Sequence, residues 1–131
     1  MKIWHSKLVV RSYELDSFAH VNNGTFAKYL EVARGDYMKE AGFDFDMLRE
    51  WKTFPVIAKV CIEYKAPAFL FDILHIKAKV KKLGRSSIVL SYEIVREEGT
   101  LIATAETVMV FVDEKGKATE MHPSVREAFS Q

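Results

Sequence analysis

Between residues 16 and 23 the chain reads DSFAHVNN, which brings a carboxylate (Asp16), an imidazole (His20) and two amides (Asn22 and Asn23) into one short stretch. Asp with His is a common acid–base pair, and Asn is a good helix cap. An amphipathic run begins directly after it. Helix N-termini leave backbone N–H groups unpaired and carry partial positive charge. An acid–base pair beside such an end could be an active site placed at the helix's positive end. The same residues could also be no more than a turn that opens a helix, since Asp is favoured in turns and Asn at caps.

Other reactive side chains offer less. His5, His75 and His122 stand apart without metal-ligand spacing and read as surface or packing residues. There is no HExxH motif and no Cys/His cluster, so no metal site is expected. Cys61 falls in an extended stretch with no His partner in local sequence, which argues against a nucleophilic thiol. No Walker or Rossmann glycine loop is present, and no cofactor is expected. Glu31, a second carboxylate, sits off the apolar stripe of the following run, where a salt bridge or an interface is the simpler role.

The elements that must position Asp16 are readable from periodicity. From Gly24 to Ala41, Phe26, Leu30, Ala33, Tyr37 and Ala41 recur at helical spacing, with Tyr29 and Met38 flanking the stripe and Gly42 as a stop. Residues 3–13 read as a strand, and 45–51 as a short helical turn. Four long strands follow, at 54–66, 72–83, 86–97 and 101–113, and a short terminal helix at 123–130 has Pro123 at its start. One strand, one long helix and four near-consecutive strands make an α+β chain with an antiparallel sheet. An 18-residue helix spans roughly 27 Å, enough to lie along that sheet. The second face of the sheet is less polar than solvent would favour, with Ile57, Cys61, Val89, Val95, Ile102, Val108 and Val110 on it. Packing between subunits would account for that surplus.

Composition narrows the partners. The chain has 131 residues, 49% of them hydrophobic, which suits one domain over 1–131 with a real core. A formal charge of +1 argues against a global nucleic-acid footprint. The single cysteine fits a reducing compartment, and no stretch is apolar enough for a signal peptide or a membrane span, so a cytoplasmic protein is expected.

Three blocks, in order and in register along the chain, resemble the hotdog-fold acyl-CoA thioesterases of the 4-hydroxybenzoyl-CoA thioesterase type. They are Asp16 to Asn23 followed by Phe26 and YLEVAR (29–34), IEYKAPAFLFDIL (62–74), and LGRSS (83–87). The family's glycine before the histidine is Ala19 here, and the acidic position two before the carboxylate is Glu14. The resemblance implies a helix wrapped by an antiparallel sheet of about five strands, a homo-oligomer (dimer or tetramer), and an acyl-CoA lying between subunits. It implies Asp16 as nucleophile or general base and the Asn23 backbone N–H as the electrophilic donor. His20 could act as a proton carrier or orient Asp16, or it could simply hold the loop by hydrogen bonds. Arg85 and Ser86 are its candidates for the nucleotide end of CoA, with Lys59 a weaker one; Arg and Lys are suited to phosphate. Phe18, Phe26 and Tyr64 would line the acyl pocket, unless they are ordinary core. Lys77, Lys79, Lys81 and Lys82 read as a solvated strand face. An acyl-carrier protein could replace CoA. The competing reading is an acyl-CoA or acyl-carrier sensor that binds without turnover. A hotdog dehydratase, expected to carry an N-P-x-H setting, does not match residues 16–20.

Overall fold

A computed structural model describes residues 1–131. Five antiparallel strands form one sheet in the order β1-β3-β4-β5-β2, where β1 is Trp4–Val9, β2 Phe54–Tyr64, β3 Ile73–Leu83, β4 Ser87–Arg96 and β5 Leu101–Val112. The long helix α1 (Asn23–Glu40) lies on one face, with α2 (Phe45–Trp51) after it and α3 (Pro123–Phe129) at the end. The expected α+β arrangement of a sheet around one long helix is what the chain adopts. No helix is long and apolar enough to cross a membrane.

The helical spacing becomes the core. Phe26, Tyr29, Leu30, Ala33 and Tyr37 are the buried residues of α1. They meet Leu74, Ile76 and Ala78 of β3, Ile88, Leu90, Tyr92 and Ile94 of β4, and Ala103, Ala105, Met109 and Phe111 of β5 in one cluster. Tyr37 donates its hydroxyl to the Ile76 carbonyl at 2.7 Å inside that core, and burial pushes its pKa well above the ordinary value. Ala41 and Gly42, the latter at φ +93°, end the helix with N–H bonds back to Tyr37 and Lys39, as the Gly42 stop predicts.

Three expectations are corrected. The first strand ends at Val9 rather than continuing to 13, because Glu14 accepts the Arg11 N–H at 2.7 Å and draws Ser12–Glu14 into a short 3₁₀ turn. Ile102 belongs to the core and not to the outer face: the β4–β5 register shifts between Ile94 and Val95, and both Ile102 and Ala103 are fully buried. His5 and His75 do not stand apart, since strand pairing brings their rings into a hydrogen bond of 2.8 Å, and His75 reaches Glu97 at 3.0 Å. On the same outer face Lys81 pairs with Glu106 at 2.7 Å and holds that carboxyl below its usual range.

Strand β2 forms one edge of the sheet, opposite β1, and is exposed over most of its length, Val56, Ile57 and Val60 included. Its alternation breaks at a bulge between Ile57 and Lys59. A long edge strand with apolar side chains and free backbone groups is a template for pairing with another strand.

Candidate active site

The loop 15–21 is closed by an antiparallel bridge between Leu15 and Val21. Inside it the Asp16 N–H donates to the His20 carbonyl at 2.7 Å, and the Ala19 N–H to the Asp16 carbonyl at 3.1 Å. Oδ1 of Asp16 accepts the backbone N–H of Phe18 at 2.9 Å and of His20 at 3.2 Å. Asp is suited to this because its short side chain reaches the amides two and four residues on. One carboxylate oxygen is thereby tied into the loop, and Oδ2 has no partner within the chain. The site is a half-buried carboxylate held still with one oxygen free.

The helix start completes the arrangement. Asn22 caps α1, its side chain accepting the Gly24 N–H at 2.8 Å and its carbonyl the Thr25 N–H at 2.9 Å. The Asn22 N–H goes to the Glu14 carbonyl at 2.9 Å. The Asn23 N–H, between two occupied amides, has no acceptor in the chain. Such a donor at the positive end of an 18-residue helix favours negative charge.

Two clamps hold this loop to the body of the protein. The Tyr29 hydroxyl of α1 donates to Glu14 Oε1 at 2.9 Å, fixing the segment just before Asp16. Burial and the Glu14 carboxylate push the Tyr29 pKa far above its ordinary value, so the hydroxyl keeps its proton and remains the donor. On the other side Val21 donates its N–H to the Ala68 carbonyl at 2.9 Å, tying the loop to the β2–β3 connection.

Ala19 stands in the left-handed region at φ +63°. The backbone that the family's glycine would supply is therefore present, at a steric cost that a Cβ imposes. Ala19→Gly is expected to raise stability by about 1 kcal/mol, read as a higher midpoint in urea unfolding. An unchanged or lower midpoint would mean that Ala19 carries no strain.

His20 does not orient Asp16 through its ring. Its backbone N–H and carbonyl hold Asp16, while the exposed imidazole packs edge-on against Phe69 with centroids 5.2 Å apart. Phe26 is buried, edge-on to both Tyr29 and Tyr64, and the Tyr64 hydroxyl donates to the Asn23 carbonyl at 3.0 Å. Both lie at the helix start. Phe18 is 81% exposed beside Asp16. Glu31 is exposed on α1 and forms no ion pair within the chain, contrary to the salt bridge that its position suggests.

Arg85 and Ser86 are not brought to Asp16. They occupy the β3–β4 hairpin, where Ser86 accepts the Phe111 N–H, Arg85 accepts the Met121 N–H, and the Arg85 side chain faces Glu120 at 3.5 Å. The Asp16 loop sits at the other end of the sheet, near Ala68 and the start of β3. An eleven-residue strand separates the two ends, about 35 Å of chain. Lys59 lies between them on β2, opposite Val108. A cavity of about 580 Å³ opens on the outer sheet face between His5, Lys77, Ser91 and Thr104 and includes none of the candidate residues.

Several contributors carry no local signal in the sequence: the Ala68 carbonyl, the Tyr29–Glu14 clamp, and Arg96, which holds the 67–72 loop. Arg96 donates to Asp72 Oδ2 at 3.1 Å and to the Pro67 carbonyl at 2.6 Å. Only the strand register, which sets Arg96 opposite Leu74, brings it there.

A model of the thioesterase-like superfamily matches residues 10–129. The long-chain acyl-CoA thioesterase FadM of Escherichia coli K12 is 33% identical over 128 residues, 96% of each chain. The acyl-CoA thioester hydrolase YbgC of Escherichia coli is 30% identical, covering 93% of each. The structure of a DHNA-CoA thioesterase from Staphylococcus aureus superposes with a TM-score of 0.91 at 26% identity, over 99% of this chain and 90% of that one. With a matching fold, a capped helix behind the Asp16 loop and relatives that cover more than nine-tenths of it, this chain belongs to the thioesterase-like superfamily and has the hotdog fold.

Proposed function

We propose that this chain is an acyl-CoA thioesterase, hydrolysing the thioester to free acid and CoA with Asp16 as the carboxylate and the Asn23 N–H as the oxyanion donor. The observation that carries this is a pair of unused groups, Asp16 Oδ2 in the 15–21 loop and the Asn23 N–H at the start of the helix that follows it. In the general-base form, Oδ2 takes a proton from water as the water oxygen bonds to the acyl carbon. The oxyanion is held at the helix N-terminus, the C–S bond breaks, and the proton passes to the CoA thiolate. In the nucleophilic form, Oδ2 bonds the acyl carbon and the C–S bond breaks, releasing the CoA thiolate. Water then adds to the acyl carbon of the resulting anhydride, giving the free acid and the Asp16 carboxylate, and the proton that this step releases ends on the CoA sulfur. His20, exposed within the loop, carries protons to and from solvent in either form. Phe26 and Tyr64 shape the acyl entrance. Relatives named as acyl-CoA thioesterases support the substrate class.

The working unit in this proposal is a homo-oligomer in the cytoplasm, each chain acting as one domain. Arg85 and Ser86 lie a full strand length from Asp16 of their own chain, so in this proposal a neighbour's hairpin supplies the phosphate contacts, while Lys59, midway along β2, is nearer to the helix start that Tyr64 touches. The bare β2 edge offers the pairing surface. An acyl-carrier protein is the alternative thiol carrier.

The direct test is thiol release from a panel of acyl-CoAs by the wild-type chain; binding without release would favour the sensor reading. The shared site has its own test. Co-expressed Asp16→Asn and Arg85→Glu chains should form mixed assemblies more active, at low acyl-CoA, than either variant alone. No gain on mixing would show that Arg85 serves its own chain or none.

A further inference from the structure

The 67–72 connection is tied to the candidate loop through Ala68 and the Phe69–His20 contact, and it carries exposed apolar side chains. Phe69, Leu70 and Phe71 are all exposed, Phe71 at 72%. Isolated exposed apolar residues need no explanation, but three in succession at the edge of a polar site do. The loop is built to hold them there. Phe69 donates its N–H to Asp72 Oδ2 at 2.8 Å, Asp72 donates its N–H to the Phe69 carbonyl at 3.1 Å, and Arg96 grips both Asp72 and the Pro67 carbonyl. The Phe71 N–H and the Asp72 carbonyl then bond the two sides of Val10.

Phe71 is at the third position of the Phe69–Asp72 turn and has φ +67°. Glycine is the ordinary residue for a positive φ at this place, and a bulky aromatic there is strained. Stability alone favours glycine, and solvation disfavours an exposed ring. Strain retained at an exposed position beside a site marks a functional residue. The ledge is continuous with the site: Phe69 packs against the His20 ring, and Ala68 anchors Val21 of the Asp16 loop. Phe18, two residues from Asp16, adds a further exposed ring.

We propose that Phe69, Leu70 and Phe71 form the rest for the acyl chain and give the site its preference for extended apolar acyl groups over short ones. The proposal rests on the thioesterase reading for the identity of its ligand. An apolar chain laid on the ledge removes both surfaces from water, so each added methylene strengthens binding while it still touches a ring. Polar or very short acyl groups gain nothing from it.

The test compares wild type with Phe71→Gly and Phe69→Ala, using butyryl-CoA and decanoyl-CoA. Affinities are measured by calorimetry in the Asp16→Asn background, where turnover is not needed, and kcat/KM in the wild-type background. The decanoyl-to-butyryl ratio of affinities and of kcat/KM is expected to fall by about tenfold in each variant, because a missing ring leaves that part of the longer chain in water. Phe71→Gly should melt no lower than wild type, because glycine suits φ +67°. An equal loss for both substrates, no change in the ratio, or a change in oligomeric state on sedimentation would overturn the proposal; the last would make the ledge a subunit interface. If no acyl-CoA releases thiol but the affinity ratio still falls, the ledge stands and the hydrolytic reading fails.

Discussion

Asp16→Asn is expected to lower thioester hydrolysis by about 10²–10⁴-fold, the usual contribution of a positioned acid–base group, with the fold kept. Asn retains an oxygen at Oδ1, so the N–H bonds from Phe18 and His20 survive the change. The substitution removes the negative charge and the free basic oxygen. Circular dichroism and thermal melting close to wild type, together with acyl-CoA affinity within a few-fold, would locate the defect in the chemical step. The same substitution in the role of a mere turn residue would leave hydrolysis intact.

Arg96→Ala is expected to cost about 2–3 kcal/mol, because charge-assisted hydrogen bonds are removed and Asp72 keeps a partly buried charge without its partner. The guanidinium serves several groups at once: Asp72 at 3.1 Å, the Pro67 carbonyl at 2.6 Å, Glu98 at 3.2 Å, and the Phe69 ring, whose centroid is 5.5 Å away. Both Arg96 and Asp72 side chains are about one-fifth exposed, so solvent screens the pair only in part. Loosening the 67–72 loop frees the Ala68 carbonyl, to which Val21 is bonded. Hydrogen exchange at the Val21 amide should therefore rise more than exchange in the β4–β5 ladder. Arg96→Lys keeps the charge but not the fork, and falls between the two. Uniform faster exchange across the sheet would show Arg96 to be a general stabiliser with no special hold on the loop.

The residues differ in how far their role is legible in the sequence. The stripe Phe26–Leu30–Ala33–Tyr37 faces the core as its spacing requires, and Asn22 caps the helix that follows. Both signals are local: each residue's role is set within a few positions in the chain. The turn that Asp16 holds is legible for the same reason, because its partners Phe18 and His20 are two and four residues away. The meaning of Arg96, Ala68 and the His5–His75 pair depends on strand register, which periodicity does not supply. Bulges compound this: the shift at Ile94/Val95 inverts the alternation that assigned Ile102 to the outer face, and the shift at Ile57/Lys59 breaks the alternation of β2. Arg85 and Ser86 share a motif block with the right chemistry for phosphate, yet a full strand length separates them from Asp16. Sequence order carries their chemistry but not their distance.

If the Asp16 loop, and not the exposed helical carboxylate Glu31, cleaves the thioester, thiol release from one acyl-CoA should separate wild type, Asp16→Asn and Glu31→Gln measured side by side. Turnover by wild type and by Glu31→Gln is expected, with near-background release by Asp16→Asn. Hydrolysis that survives Asp16→Asn and vanishes in Glu31→Gln would contradict it.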